Sequence, residues 1–329
     1  GNYDAALWSA KAMLERDGVV FVPGVNEELA ATAVWGSQQV TLMPGAKHDG
    51  VFGIWYGKGP GVDRAGDALK HGNLAGTARH GGVVGLGGDD HSAKSSTTAH
   101  QSEQALMAAL IPVLNPASVQ DYLDLGPHAV ALSRFSGLWV GFKCLTETVE
   151  SGATCTLSPD PFAPVLPEIE GPPDGRNIKL RLAALADEAS VIRWRLPAAQ
   201  AYVRANNLDR VALDGARRGL GIVAIGKSFA DLREARARER AGSPGGIARA
   251  ASRLNADRPG FRGLLPMTAR RVEAPFEGPA RRRHRHQRGL GRDGDLGRDR
   301  ACGWALVVLP PAGRGRPAAG CGGCGAPGA

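Results

Sequence analysis

The chain has 329 residues, room for about two domains at 100–200 residues each. Hydrophobic residues make up 43% and charged residues 22%, ordinary values for a soluble globular protein. No run of eighteen apolar residues and no basic-then-apolar start is visible, which speaks against a membrane span and a secretory leader. The net charge of +8 is uneven. Residues 1–235 hold 21 Lys and Arg against 25 Asp and Glu, whereas residues 236–329 hold 19 Arg, no Lys and 7 acids. Five cysteines, odd and sparse, argue against a disulfide scaffold and fit a reducing, cytoplasmic compartment.

Along the chain, residues 3–16 read as a helix with Leu7, Lys11 and Leu14 on one face and Gly18 as its stop. VVFV at 19–22 reads as a short buried strand. Asn26 caps a helix to about Ser37, with Glu27 and Glu28 in the first turn, where carboxylates suit the dipole. DGVFGIWY at 49–56 is a strand, GKGPG at 57–61 a glycine turn, and 62–71 a helix. GGVVGLGG at 81–88 is a strand followed by the polar loop DDHSAKSST. Then come a helix at 101–110, a strand near Val113, a helix at 116–126 and one long amphipathic helix at 128–151. Strands separated by helices of this size imply βαβ units and a three-layer α/β/α fold on a parallel sheet.

Five prolines in 160–175 mark a linker or extended loop, and 180–208 returns to a helical pattern. GLGIVAIGKSFADLREA at 219–235 reads as a buried strand, a glycine turn and the start of a helix, the opening of a second α/β domain. The domain boundaries expected are therefore 1–157, a connector at 158–218, a stub at 219–235 and a tail at 236–329. The tail contains 18 Gly and 9 Pro, with ALVVL at 305–309 as its one strand-like run. By composition it is expected to be disordered. Loss of all Lys where a domain breaks off favours out-of-frame reading of GC-rich DNA over a genuine basic tail.

Several groups are candidates for chemistry. Glu27 is either a plain helix-dipole carboxylate or an acid held at the edge of a cleft, where open α/β sheets place ligands. The turn at 57–61 exposes backbone N–H groups, but its spacing is neither a P-loop nor a dinucleotide fingerprint. Asp89, Asp90 and His91 are dense in ligand atoms, yet their spacing matches no metal pattern, and no metal site is assigned. Cys144 and Cys155 read as small buried hydrophobes. The CxxC at Cys321 and Cys324 lacks the partners of a zinc site. RRRHRHQRG at 281–289 binds nucleic acid only by charge, and only if the tail is genuine.

VPGVNEELAATAVWGSQQ, DGVFGIWYGKGPGVDRAGDALKHGNLAGT, HGGVVGLGGDDHSAKSST and HQSE closely resemble the long fused indolepyruvate ferredoxin oxidoreductases, thiamine-diphosphate-dependent 2-oxoacid:ferredoxin oxidoreductases. The likeness runs through LIPVLNPASVQDYLDLG, ALSRFSGLWVGFKCLTETVES and AYVRANNLDR to about residue 235. It implies that residues 1–157 are the pyrimidine-binding domain and that the complete enzyme oxidatively decarboxylates an aryl 2-oxoacid to an acyl-CoA. Electrons then leave through a [4Fe-4S] cluster to ferredoxin, in a homodimer. The family's acid corresponds to Glu27, which would hydrogen-bond N1′ of the aminopyrimidine and favour the imino tautomer that takes the thiazolium C2 proton. Glu28 is its competitor, one residue along on another side of the helix. Gly57, Lys58, Gly59, Asp90, His91 and Ser95 align near cofactor or substrate. The residues that bind Mg2+ and diphosphate, the cluster cysteines and the family's first loop have no counterpart here, so the chain is expected to be an inactive fragment. The alternatives are another thiamine-dependent 2-oxoacid decarboxylase, or a non-catalytic protein with a nucleic-acid-binding tail.

Overall fold

The computed structural model describes residues 2–93, 98–180, 183–212, 222–240 and 304–308. Ser95, the cysteines at 302, 321 and 324 and the 281–289 run lie outside the described residues. In order, the first elements are α1 (Asn2–Ser9), α2 (Lys11–Arg16), β1 (Val19–Pro23), α3 (Glu27–Gln38), β2 (Phe52–Lys58), α4 (Gly59–Arg64) and α5 (Gly66–Ala75). They are followed by β3 (Val83–Asp89), α6 (Ser102–Ala108), β4 (Val113–Leu114), α7 (Val119–Ser136), β5 (Trp139–Leu145) and α8 (Thr146–Val149). The remainder comprises α9 (Ala184–Ser190), a π-helical turn (Val191–Arg195), α10 (Leu196–Ala205), α11 (Lys227–Arg240) and β6 (Trp304–Val308).

The strands form a sheet in the order β1-β6-β2-β3-β5-β4. Neighbours β2, β3, β5 and β4 are parallel, with Ile54 beside Val84 and Val84 beside Val140. Strand β6 is antiparallel to both β1 and β2, so β1 points the same way as the parallel set. The expected parallel α/β fold is therefore present, with one reversed strand inserted. The strand-like run near 305–309 is that strand.

Period-two alternation assigns the two faces. Trp55, Val83, Val113 and Trp139 face α3, α4, α5 and α6 in one core layer. Val84, Leu114, Val140 and Phe142 face α7 and α10 in the other. Tyr56, Ile54 and Phe21 carry α1 and α2. Gln38 ties the end of α3 to the segments that enter β2 and β3, donating to the Val51 carbonyl and accepting from the backbone N–H groups of Ala78 and Gly82.

Four expectations need correction. Residues 128–151 are not one helix. Helix α7 already begins at Val119, passes through Pro127 and stops at Gly137, whose left-handed φ of 78° suits glycine. The apolar run that follows is buried strand β5. Pro127 fails to end α7 because Ala129, Leu132 and Ser133 beyond it are fully buried, and packing outweighs propensity. Second, β1 is an edge strand with Val20 and Val22 both exposed, not a buried one. Third, residues 222–225 form no strand, and Ile222 and Val223 are exposed; the helix of that segment, α11, is present. Fourth, Cys144 and Cys155 are both only partly covered; Cys144 packs beside the second core layer, and burial pushes its thiol up to about 12. Among the described residues, no helix is long and apolar enough to cross a membrane.

Candidate functional site

The carboxyl ends of the parallel strands carry two adjoining clusters. The first is built on Glu27. Asn26 caps α3 by accepting from the Leu29 N–H at 2.8 Å, and this fixes Glu27 as the first helical residue. The indole N–H of Trp55 donates to the Glu27 carbonyl at 2.9 Å, which locks the helix start to β2. The Glu27 side chain is consequently buried, at 3% exposure, while Glu28 is exposed. Burial thus separates the two adjacent acids.

The glycine segment makes room for this carboxylate. A Cβ at Gly61 would lie 2.5 Å from Glu27 Cγ, and one at Gly57 would lie 3.0 Å from the Trp55 ring and 3.5 Å from Glu27 Cγ. A Cβ at Gly59 would overlap the side chain of His100. Rather than a free loop, the segment is the end of β2 running directly into α4. Gly57 and Lys58 close the strand and Gly59 opens the helix. Glu27 Oε2 is buried and accepts no hydrogen bond among the described residues. Arg64 is a charged neighbour, its Nη1 3.7 Å away on a side chain 56% exposed. An anionic oxygen without a donor in a dry site is costly, and such atoms concentrate where a ligand supplies the donor.

The second cluster lies across β3 and β5. Lys143, on β5, is buried and donates to Glu103 Oε2 at 2.6 Å, and its Nζ lies 3.3 Å from Asp89 Oδ2. Asp89 also accepts from the Ser102 N–H at 2.9 Å and from the Ser102 hydroxyl. His91 Nε2 is 3.0 Å from Lys143 Nζ. An ammonium has only donors, so Nε2 accepts and the ring proton sits on Nδ1. Asp90 is buried at the start of the same loop. His91 is therefore engaged by a lysine. Among the described residues, no three His, Cys, Asp or Glu side chains are placed to hold a metal ion.

The structure brings Glu27, Gly57 and Gly59 around one corner, with Lys58 exposed beside them. It places Asp90 and His91 at the end of the neighbouring strand, where Lys58 pairs with Gly88 in register. Ser95 lies outside the described residues. Sequence reading passed over Lys143, Glu103 and Arg64. The signal for Lys143 was a single charge inside the apolar run WVGFKCL, which marks a strand-borne lysine but was absorbed into an expected helix.

A buried acid at the carboxyl edge of a parallel sheet places this chain among α/β proteins, a class whose open sheets take ligands beyond the carboxyl ends of their strands. No family model matches the chain. The chain is 27% identical over 221 residues to the indolepyruvate oxidoreductase subunit IorA of Methanothermobacter thermautotrophicus, an alignment covering 65% of this chain and 33% of that protein. It thus spans about a third of the length of the curated relative it matches.

Proposed function

We propose that this chain supplies the aminopyrimidine half of a thiamine diphosphate site. The complete protein would be a 2-oxoacid:ferredoxin oxidoreductase that oxidatively decarboxylates indolepyruvate or a related aryl 2-oxoacid to an acyl-CoA. The observation that carries this reading is the orphaned Oε2 of Glu27 at the strand ends. The distant relation to an indolepyruvate oxidoreductase subunit supports the reaction class.

The residues present fit the cofactor's pyrimidine. A ring nitrogen that must carry a proton needs a buried anionic acceptor, and Glu27 offers Oε2, which accepts from no donor among the described residues. Glycines at 57 and 61 keep the slot in which the carboxylate is folded. When bound, thiamine diphosphate supplies the carbon nucleophile and the electron sink for decarboxylation. Glu27 holds the proton at N1′ by a charge-assisted hydrogen bond in a site from which water is excluded. Arg64, half-exposed at the mouth, limits the cost of keeping that charge buried. Lys58, Asp90, His91 and Ser95 are assigned as flanking contacts, with His91 presenting Nδ1–H. Residues 1–157 form the pyrimidine-binding domain in this reading. Mg2+ and diphosphate ligands, the [4Fe-4S] cluster, and the sites for ferredoxin and coenzyme A belong to the complete, dimeric, cytoplasmic enzyme.

The test is calorimetric titration of the 329-residue chain with thiamine, for wild type and Glu27→Gln. Saturable binding by wild type, at least tenfold weaker in the variant, is expected. A charge-assisted bond worth about 1.5–3 kcal/mol accounts for that loss. Equal affinities, or no binding by wild type, overturn the assignment.

A further inference from the structure

At the opposite, amino-terminal ends of the strands lies a cavity of about 330 Å³, lined by Arg79, Phe135, Gly171, Pro172, Asp174 and Arg176 among others. It is separated from Glu27 by roughly the length of a seven-residue strand, on the order of 20 Å. Its walls are firmly built. The Ile178 N–H donates to the Thr77 carbonyl at 2.9 Å, and the Gly175 N–H closes a turn onto the Pro172 carbonyl. Arg176 lies over the Phe135 ring with its Cζ 4.9 Å from the centroid, and its Nε donates to the Phe135 carbonyl at 3.2 Å. Gly171 leaves space for the guanidinium, since a Cβ there would lie 2.8 Å from Arg176 Nη1.

The charges around the cavity do not balance. Asp174 is ion-paired with Lys179 at 2.8 Å. Among the described residues, neither Arg79 nor Arg176 has a carboxylate within ion-pair distance. Burial lowers Arg176 from its ordinary value, the mark of a partly desolvated cation without a counter-charge. Asn177 also lines the cavity, and its Nδ2 is buried and donates to nothing described. Two arginine side chains therefore line a polar space, with the buried Asn177 amide in its wall, and its volume falls at the lower end for small-molecule sites.

We propose that this cavity binds the phosphate group of a small phosphorylated molecule. Two uncompensated guanidinium charges call for a dianion, and a phosphomonoester carries about −1.5 to −2 at neutral pH, against −1 for a carboxylate. Arginine's planar fork suits phosphate oxygens. The cavity exceeds what a bare phosphate fills, so an ester with a small organic portion is the occupant.

The test titrates the full chain with glycerol 3-phosphate, inorganic phosphate and acetate at constant ionic strength, following heat and thermal unfolding. Expected is saturable 1:1 binding of glycerol 3-phosphate, at least as tight as inorganic phosphate and at least tenfold tighter than acetate. Arg79→Glu, at an exposed position, should weaken it at least tenfold without changing the unfolding temperature of the ligand-free protein. Arg176→Lys, which keeps the charge but loses the fork, should weaken it less. Glu27→Gln should bind the phosphate like wild type, since the two sites lie at opposite ends of the sheet. Binding that survives Arg79→Glu belongs to the arginine-rich residues beyond 235 and overturns the proposal. So do equal binding of acetate, tighter binding of inorganic phosphate than of the ester, and absence of saturable binding.

Discussion

Replacing Glu27 with methionine should make the ligand-free protein more stable. The carboxylate is buried, and its Oε2 has no hydrogen-bond donor among the described residues. Leaving a buried acceptor unsatisfied costs about 1–3 kcal/mol. The offset is Arg64 at 3.7 Å, a guanidinium more than half exposed and hence worth less than about 1 kcal/mol. Methionine keeps the length and fills the slot beside Gly57 and Gly61 without a charge. The Trp55 hydrogen bond ends on the Glu27 backbone carbonyl and survives the change. The net gain is about 1 kcal/mol, or a rise of ~2–4 °C in unfolding temperature for a folded region of this size. Circular dichroism melting of Glu27→Met against wild type reads it. A double-mutant cycle with Arg64→Ala completes the experiment, because the arginine should matter only while the acid is present. A fall of more than ~2 °C in Glu27→Met would show that the acid holds the fold together, and would refute the view that it is kept at the expense of stability.

Three further outcomes follow from other residues. Lys143→Met leaves Asp89, whose side chain is fully covered, without its cation; Ser102 still donates to it, so the loss should be about 2–4 kcal/mol, seen as a lower urea midpoint. An unchanged midpoint would contradict the buried ion cluster. Arg195, buried on the π-helical turn, donates to the carbonyls of Leu74 at 2.9 Å and of Asn73 and Ala75 at 3.4 Å. Arg195→Met should uncap α5, cost about 2–4 kcal/mol, and speed proteolysis within the irregular residues 151–180. Equal cleavage rates would show that α9 and α10 are held otherwise.

The pH response turns on His128, whose Nδ1 is 2.9 Å from the Tyr202 hydroxyl. Burial lowers the His128 pKa, against a smaller upward pull from Asp124, and burial raises that of Tyr202, so the phenol donates to a neutral imidazole. A histidine depressed in the fold contributes stability that is fully present above its unfolded value near 6.5 and is lost as pH falls from there through the lower folded value. The unfolding temperature should therefore drop between pH 7.5 and 5.5, and His128→Gln should shrink that drop. An identical slope in the variant would contradict the assignment.

The sequence made the parallel sheet legible through Asn26 as a cap and through apolar runs punctuated by glycine, because those signals are local. It misread β5 because the run after Gly137 follows a helix without proline or a polar break, and only burial on both sheet faces marks it as a strand. The placing of β6 between β1 and β2 had no local signal, since its partners lie 281–289 residues away in β1 and 248–256 residues away in β2. At the site, the choice of Glu27 over Glu28 rested on resemblance. The structure adds the physical separation, one acid buried under glycines and its neighbour in water. Lys143 was marked by a lone charge within an apolar run, but its partners Glu103, Asp89 and His91 come from other segments; the Arg79–Arg176 cavity likewise arises from contacts between distant segments, and neither spacing nor composition announces it.

The most direct test of the central claim uses thiamine labelled with 15N at N1′, added to the 329-residue chain and followed by NMR. If Glu27 holds a proton at that nitrogen, the bound N1′ resonance moves strongly upfield in wild type and stays near its free position in Glu27→Gln. A bound resonance that is unshifted in wild type, or shifted equally in both, would contradict the account.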